Sequence, residues 1–407
     1  MTLRRAVSLL ILLCLLALPV VVTEFVLRQS GLGTPIRYGT NAAFRYAPLP
    51  EQQVERWGAA VTIDAHGLRG TEPWSTLSDL HVLFVGDSVT WGGTHMDDAA
   101  LFSSLVCDEL EAQLRRRVVC GNAGVNNYGT DNMRARLRHD RDVVRRADAV
   151  VVTIVAEDTR RGLTDLQGRY YYSSIPPGPL PAIGEALGFL LYRASGYIRH
   201  HDLRYDDAYD IDVGLESLNL LLAELAALGD AGKTTLLVYS PTLRDLEEPP
   251  PSLGRAVRAR ITQSQVPSLD LVDAIRHLDP SQDVRAADLY EDGMHLTAVG
   301  HRLYGSWIAA ALVDALAQAR TFARKANVLA SPRVRAGIAP GAAPAAARFT
   351  GRVPHHHRWA AQDPAPSSST SPVALSAIAP HRAHRRKLDH QNSVIESWNF
   401  QPTVDSR

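Results

Sequence analysis

Three side chains in this sequence have the types and spacing of a nucleophile, its base and the group that orients the base. Ser88 ends a Gly86-Asp87-Ser88 turn directly after the apolar run Val82–Val85, and His295 follows Asp292 by three residues. A serine hydroxyl becomes a nucleophile when a histidine removes its proton, and a carboxylate holds that histidine in the required tautomer. The sequence therefore predicts attack by Ser88 on an acyl group, with His295 as general base and Asp292 as its orienter.

Apolar, β-branched runs alternate with amphipathic stretches from residue 81 onward. This pattern is typical of an α/β fold in which helices cover both faces of a parallel sheet. Such sheets keep reactive groups at the carboxyl ends of their strands, where Ser88 is expected. The predicted strands are Val82–Val85, Val118–Cys120, Ala149–Val155, Thr234–Tyr239 and Pro267–Leu271. The predicted helices are Ala99–Leu114, Asp131–Arg146, Val213–Leu228, Leu253–Gln263 and Ala298–Ala323.

The N-terminus predicts a membrane segment. Arg4 and Arg5 precede an uncharged run from Ala6 to Thr23, which approaches the ~20 residues that cross the hydrocarbon core of a bilayer. No clear small-residue cleavage site follows, so an uncleaved anchor over residues 6–27 is favoured over a cleaved signal sequence. The positive-inside rule makes residues 1–5 a cytoplasmic stub and places the body in the periplasm or outside the cell.

The rest of the chain divides into three parts, the second of which contains an insertion. Residues 28–80 are expected to form a juxtamembrane connector, and residues 81–324 the α/β domain. Residues 160–212 interrupt the strand–helix rhythm and are interpreted as a lid or binding insertion, in which Tyr170-Tyr171-Tyr172 line a substrate cleft or cover a core edge. Residues 325–407 lack hydrophobic periodicity and are predicted to be a disordered basic tail.

Charge and cysteine content narrow the classes of partner. The chain has 43 Lys+Arg and 43 Asp+Glu, but the excess of basic residues in the tail leaves an acidic body, which argues against nucleic-acid binding. Cys107 and Cys120 either form a disulfide in an exported domain or remain two small buried hydrophobic residues. No spacing of cysteines predicts a metal site, and a structural metal at His355-His356-His357 is not expected.

Three stretches resemble the SGNH hydrolases, also called the GDSL esterase/lipase family. They are Val85–Gly92, Asn122–Thr130 and Asp292–Thr297, and the resemblance extends over about 81–315. The stretch Gly67-Leu68-Arg69-Gly70 is similar to exported bacterial members. The resemblance implies a flavodoxin-like three-layer α/β/α sandwich and ester hydrolysis through an acyl-enzyme, with no metal or organic cofactor.

The resemblance also implies roles for single residues. Ser88 corresponds to the nucleophile, His295 to the base and Asp292 to its orienter. The backbone N–H groups of Ser88 and Gly124 correspond to the donors that stabilise the oxyanion.

One position departs from the family pattern. Family members carry Asn-Asp after the third strand, and the asparagine amide donates to the oxyanion, whereas here Glu157 precedes Asp158. An ionised carboxylate accepts hydrogen bonds only, and loss of one oxyanion donor costs roughly 10²–10³ in rate. Three explanations stay open: Glu157 is protonated, Asn126 or Asn127 supplies the missing donor, or the protein is a slow or specialised relative.

The sequence supports three functions in descending order. The first is an extracytoplasmic serine esterase that cleaves an acyl or acetyl ester of a small molecule, or of an envelope glycan or lipid. The second is an O-acyltransferase that uses the same triad and passes the acyl group to a sugar hydroxyl. The third is a catalytically impaired module that binds a glycan or a protein partner, which the substitution at Glu157 would explain.

Overall fold

The computed structural model describes residues 3–164, 180–199, 211–248, 250–278 and 284–330. Its strands are β1 Tyr38–Asn41, β2 Arg45–Pro48, β3 Gln52–Arg56, β4 Ala59–Ile63, β5 Leu80–Gly86, β6 Val118–Asn122, β7 Ala149–Ile154, β8 Thr234–Tyr239 and β9 Ser268–Asp270. Its helices are α1 Leu3–Gln29, α2 Ser88–Trp91, α3 Phe102–Leu114, α4 Thr130–His139, α5 Arg141–Arg146, α6 Pro181–Arg199, α7 Ile211–Asp230, α8 Ser252–Thr262, α9 Leu271–Arg276 and α10 Ala298–Ala330. The predicted triple tyrosine, the triple histidine and the tail from residue 331 lie outside the described residues.

The central sheet has five parallel strands in the order β6-β5-β7-β8-β9 in the described part of the chain. Alternate side chains of each inner strand enter two separate cores, as the pleat requires. Leu83 and Val85 of β5 face one core, while Val82 and Phe84 face the other. Helices cover both faces, so the predicted three-layer α/β/α sandwich with a flavodoxin-like strand order is confirmed.

The strand order changes direction at the carboxyl end of β5, which is where open α/β sheets form a ligand crevice. The chain leaves β5 for β6 on one side of the sheet, and β7 then pairs with β5 on the other side. Connections that diverge in this way leave an open groove between them, where ligands bind in open α/β sheets. Ser88 begins α2 at this point, two residues after β5 ends.

Residues 28–80 fold as part of the α/β body. They form two antiparallel hairpins, β1–β2 and β3–β4, and Tyr46, Ile63 and Trp74 are buried in the core that also contains Leu83 of β5. Arg69 then pairs through its backbone with Asn122 at the end of β6. The boundary expected at residue 81 therefore does not separate this segment from the sheet.

Helix boundaries differ from the sequence prediction in two places. The single helix expected over 131–146 is two helices, α4 and α5, which meet at Asp140 with a non-helical ψ of 58°. The last helix, α10, continues to Ala330, beyond residue 325, where the tail was expected to begin. Periodicity alone did not show either feature, because the apolar spacing continues past Asp140, and Arg324-Lys325-Ala326 are residues with good helix propensity.

Cys107 of α3 and Cys120 of β6 form a disulfide that closes a loop of 13 residues. Of the two alternatives that the sequence left open, the structure thus contains the bond. We expect Cys107→Ser to lower the free energy of unfolding by about 2–4 kcal/mol, because the unfolded chain gains the freedom that the bond removes. Urea denaturation of the variant measures this loss.

Treatment with a reductant is the matched control for that substitution. It should lower the stability of the wild-type protein by a similar amount and leave Cys107→Ser unchanged. A wild-type protein whose urea midpoint does not respond to reductant would contradict the bond.

Candidate active site

Ser88 is placed by the close contact of α2 with the sheet. The Asp87 carboxylate caps α2 by accepting from the Val89 N–H at 2.9 Å, which satisfies one of the free donors at the helix start. A side chain on Gly86 would lie 2.0 Å from Thr90 Oγ1 and 2.7 Å from the Thr153 carbonyl oxygen. Only glycine therefore lets α2 pack this closely beside β7.

His295 is placed by a tight turn that Asp292 organises. Asp292 Oδ1 accepts from the backbone N–H groups of Met294 at 3.1 Å and His295 at 2.9 Å. Gly293 lies in this turn with a φ of +87°, a conformation that side-chain-bearing residues rarely adopt. The local sequence Asp-Gly-x-His thus directs both side chains to the same side of the turn.

The three predicted residues form one continuous chain of hydrogen bonds. His295 Nε2 lies 2.9 Å from Ser88 Oγ, and His295 Nδ1 lies 2.6 Å from Asp292 Oδ2. A carboxylate only accepts, so Nδ1 carries the proton and Nε2 is left to accept from the serine hydroxyl. The His295 side chain is 31% exposed, so part of the imidazole is open to solvent.

The interaction between Asp292 and His295 shifts the pKa values of the two side chains in opposite directions. Burial alone would raise the pKa of Asp292, but its hydrogen bond and attraction to His295 outweigh burial and lower the pKa to about 2. Burial alone would lower the pKa of His295, but the Asp292 carboxylate outweighs it, helped by Asp87 and Glu291, and the pKa is raised. Asp292 is therefore ionised wherever His295 titrates.

Gly124 does not fit the oxyanion role that the family resemblance implied. Its backbone N–H donates to Asn122 Oδ1 at 2.8 Å, and the Asn122 amide donates onward to the Thr90 carbonyl oxygen at 2.6 Å. The Gly124 N–H is therefore already paired, within the hydrogen bonds that connect the end of β6 to α2. The Ser88 N–H, by contrast, has no acceptor among the described residues, as expected for the first residue of a helix.

Asn126 and Asn127 occupy different environments. The side-chain amide nitrogen of Asn126 lies 3.5 Å from the Tyr38 hydroxyl, and its backbone carbonyl oxygen accepts from the Tyr46 hydroxyl at 2.7 Å. Asn127 is exposed and has a φ of +66°, which asparagine tolerates better than most residues. Neither its backbone N–H nor its side-chain amide is paired within the described residues. Both donor groups are therefore available, one residue before Tyr128, whose carbonyl oxygen shares Arg161 with Asp87.

Glu157 follows β7 and is exposed at the same edge of the sheet. Desolvation of its carboxyl raises its pKa, and the Asp245 carboxylate acts in the same direction, against weaker attraction by Arg161 and Arg160. The carboxyl of Glu157 is therefore protonated more easily than the carboxyl of an ordinary surface glutamate. A protonated carboxyl can donate one hydrogen bond, whereas its anion cannot.

Arg161 joins three loops around Ser88, and sequence reasoning assigned it no role. One guanidinium nitrogen, Nη1, lies 3.1 Å from Asp87 Oδ2, 3.0 Å from the Tyr128 carbonyl oxygen and 2.5 Å from Asp158 Oδ1. Both carboxylates are fully buried. Burial and the neighbouring Asp87 charge raise the pKa of Asp158 despite the attraction of Arg161. The sequence clue was only a basic residue three positions after Asp158.

Arg69 stabilises the loop on the other side of α2. Its fully buried guanidinium donates to Asp98 Oδ1 at 2.7 Å and to the Trp91 carbonyl oxygen at 2.8 Å. The same group lies over the Trp91 ring, 5.0 Å from its centroid. The sequence singled out Gly67–Gly70 by resemblance, and the structure shows the physical reason: Arg69 holds the end of the helix that begins with Ser88.

The fold, the crevice and the hydrogen-bonded serine, histidine and aspartate define a hydrolase-type α/β protein. Residues 84–303, more than half of the chain, match the model of the GDSL-like lipase/acylhydrolase family. The chain belongs to this family and is an ester-hydrolysing enzyme. The resemblance that the three sequence stretches indicated is thereby confirmed.

Solved structures also resemble the chain. The α/β hydrolase LAE5, from the metagenome of Lake Arreo in Spain, is 17% identical, with a TM-score of 0.38 over 58% of this chain and 96% of its own. The acetylxylan esterase Axe2 from Geobacillus stearothermophilus is 17% identical, with a TM-score of 0.38 over 58% and 94%. A lipase/acylhydrolase from Enterococcus faecalis is 18% identical, with a TM-score of 0.36 over 57% and 94%. No curated protein sequence matches the chain.

Removing the guanidinium of Arg161 should destabilise the protein strongly. Arg161→Ala leaves Asp87 and Asp158 buried without a counter-charge, and we expect it to lower the free energy of unfolding by about 3–5 kcal/mol. Arg145→Ala is the matched control, because that arginine pairs with Asp142 on the open surface and an exposed pair contributes at most about 1 kcal/mol. Urea denaturation compares the two variants; equal losses would argue against the cluster.

The raised pKa of His295 should appear in the pH dependence of hydrolysis. A general base works only when it is neutral, so kcat/KM should rise with pH through a pKa above the ordinary histidine value of about 6.5. Asp292→Asn removes the charge that raises this pKa, so the rising limb should move to lower pH. The maximum rate should also fall, by about 10⁴-fold, because the histidine loses its orienting partner.

Glu291→Gln is the control for the shift in pH. Glu291 acts on His295 more weakly than Asp292 does, so this variant should move the limb slightly and keep its maximum rate. A limb that stays in place in Asp292→Asn would show that another group titrates.

Proposed function

We propose that this enzyme is a membrane-anchored serine esterase that cleaves an acyl or acetyl ester outside the cytoplasm. Ser88 is the nucleophile, His295 the general base and Asp292 the residue that orients the base. The observation that carries this proposal is the unbroken path from Ser88 Oγ through both nitrogens of His295 to Asp292 Oδ2, with steps of 2.9 Å and 2.6 Å.

The path specifies the order of proton transfers. His295 Nε2 takes the hydroxyl proton as Ser88 Oγ attacks the ester carbonyl, and the resulting imidazolium is stabilised by Asp292. The same proton then passes to the departing alcohol, which leaves an acyl group on Ser88. Water reaches the exposed edge of His295, loses a proton to Nε2 and hydrolyses the acyl-enzyme, so that the serine is restored.

The oxyanion that forms in both steps needs donors that are not already engaged. We assign this role to the Ser88 N–H and to Asn127. Gly124 already donates to Asn122, whereas the donors of Asn127 are unpaired, and Arg161 connects its neighbour Tyr128 to Asp87, the residue before Ser88. Of the explanations for the missing family asparagine, this supports a substitute donor. Protonation of Glu157 is the alternative explanation, and desolvation of its carboxyl shifts the pKa in the direction that this alternative needs.

The location outside the cytoplasm rests on α1 and on the disulfide. Among the described residues, α1 is the helix long and apolar enough to cross a membrane, and a disulfide such as Cys107–Cys120 persists in oxidising compartments. The end of α1 is also bonded to the body, because Glu24 accepts from the backbone of Ala182 and Ile183. Removal of a cleaved signal would break these contacts, which favours the uncleaved anchor.

Hydrolysis is favoured over acyl transfer by the open site. An acyltransferase must keep water away from the acyl-enzyme, whereas the imidazole of His295 is 31% exposed. The substrates that a tethered enzyme meets are esters of the envelope, on glycans or lipids, together with small diffusible esters.

Labelling with a fluorophosphonate probe and hydrolysis of an aryl acetate test this function together. The wild-type protein should label and hydrolyse the ester, and Ser88→Ala should do neither, with a rate on the order of 10⁶-fold lower. Ser306→Ala, which changes an exposed serine on α10, should behave as wild type. Failure of the wild type to label would indicate the binding module.

A glycan acceptor separates the two enzymatic functions. Addition of the acceptor should leave the rate of aryl acetate hydrolysis unchanged. Turnover that requires the acceptor, with the acyl group recovered on it, would establish the acyltransferase instead.

A further inference from the structure

The amino end of α6 is fastened to the membrane helix. Glu24 is the buried residue of α1, and its two carboxylate oxygens accept from the first backbone N–H groups of α6, Ala182 at 3.1 Å and Ile183 at 2.9 Å. Arg28 donates to the same carboxylate at 2.7 Å. A carboxylate at a helix amino end satisfies free donors and the helix dipole together, so this junction sets where α6 begins.

The junction lies at the outer boundary of the apolar part of α1. The 18 uncharged residues from Ala6 to Thr23 precede Glu24 and extend about 27 Å as a helix, close to the thickness of the hydrocarbon core. A bilayer spanned by these residues therefore has its outer surface at Glu24. α6 starts at that depth.

A second buried contact fixes which side of α6 faces the body. Glu185 lies one turn after Ala182 and pairs with Arg56 of β3 at 2.8 Å, while the Gly33 N–H donates to it at 2.7 Å. Positions three apart share one helix face. The face with Ala182 and Glu185 thus packs on the body, and the opposite face points away from it.

The outward face of α6 is apolar and unusually exposed. Leu187, Leu190 and Leu191 lie within two turns and are 53%, 60% and 68% exposed, and no charged residue occurs in Ala186–Leu191. Adjacent exposed leucines on one face of a helix mark a binding surface rather than ordinary surface composition. The apolar part of α6, Pro181–Leu191, is too short to span a bilayer, and short apolar helices occur either in protein cores or in membrane interfaces. The exposure of the leucines favours the interface.

We propose that α6 is a second membrane contact, whose leucine face (Leu187, Leu190 and Leu191) lies in the outer interface of the bilayer that α1 spans. The proposal rests on the anchoring role of α1 proposed above. We choose a lipid surface as the partner of this face because α6 begins beside Glu24, where the apolar part of α1 ends, and because the face is uncharged and exposed, as the apolar part of α1 also is. The contact holds the catalytic body against the membrane at two points instead of one.

Depth-dependent fluorescence in the full-length protein tests this contact. The protein is reconstituted in phosphatidylcholine vesicles, with or without dibrominated acyl chains, and carries the fluorophore NBD on one cysteine. The positions are native Cys14 in α1, and Leu190→Cys or Leu220→Cys on a Cys14→Ser background. Leu220 of α7 is the matched control, because it is also an exposed leucine on a helix, at 42%.

We expect brominated lipid to quench the labels at Cys14 and Leu190 at least about twofold and to leave the label at Leu220 unchanged. Quenching at Cys14 without quenching at Leu190 would overturn the proposal while leaving the anchor intact. Absence of quenching at Cys14 would overturn the anchor and, with it, the depth argument for α6. Energy transfer between Leu190 labels on different molecules, without lipid quenching, would assign the face to a second copy of the chain and also overturn the proposal.

Discussion

The geometry around Ser88 depends on the guanidinium of Arg161 between two buried carboxylates. Asp87 precedes the serine, Asp158 follows β7, and the third acceptor, the Tyr128 carbonyl, belongs to the loop after β6. Two carboxylates this close repel each other in a low dielectric, and only a shared cation makes their burial favourable. The three loops at the crevice are therefore stable in one docked arrangement, and the nucleophile and its neighbouring donors are fixed as a set.

Sequence reasoning succeeded where a feature was local. Strands such as Thr234–Tyr239 are buried on both faces, so they appear as continuous apolar runs. Ser88 was recognisable because it follows a strand directly, and Asp292 and His295 because one tight turn brings their side chains together. The two motifs are far apart in sequence. Their proximity in space could be predicted because a parallel sheet places its functional groups at the carboxyl ends of its strands.

The features that sequence reasoning missed are those that depend on distant partners or on half-buried polar strands. Arg161 looks like an ordinary surface arginine until the fold surrounds it with buried acceptors. Strand Gln52–Arg56 has a single apolar residue, so no periodicity predicted that residues 28–80 would complete the core. The bond from the Gly124 N–H to Asn122, two residues earlier, is likewise a contact that neither motif spacing nor composition shows.

The packing of the segment after α1 fixes the distance between α1 and the site around Ser88. Gly31, Gly33 and Ile36 are buried, and the hairpins that follow pack in the core. No flexible linker therefore separates α1 from the site around Ser88. If α1 spans a bilayer, as proposed, the site around Ser88 is held at one height above it. Esters carried at that height would be encountered by diffusion in two dimensions, whereas esters farther out would not reach Ser88. Selection among substrates then begins with geometry, before any contact in the crevice distinguishes one acyl group from another.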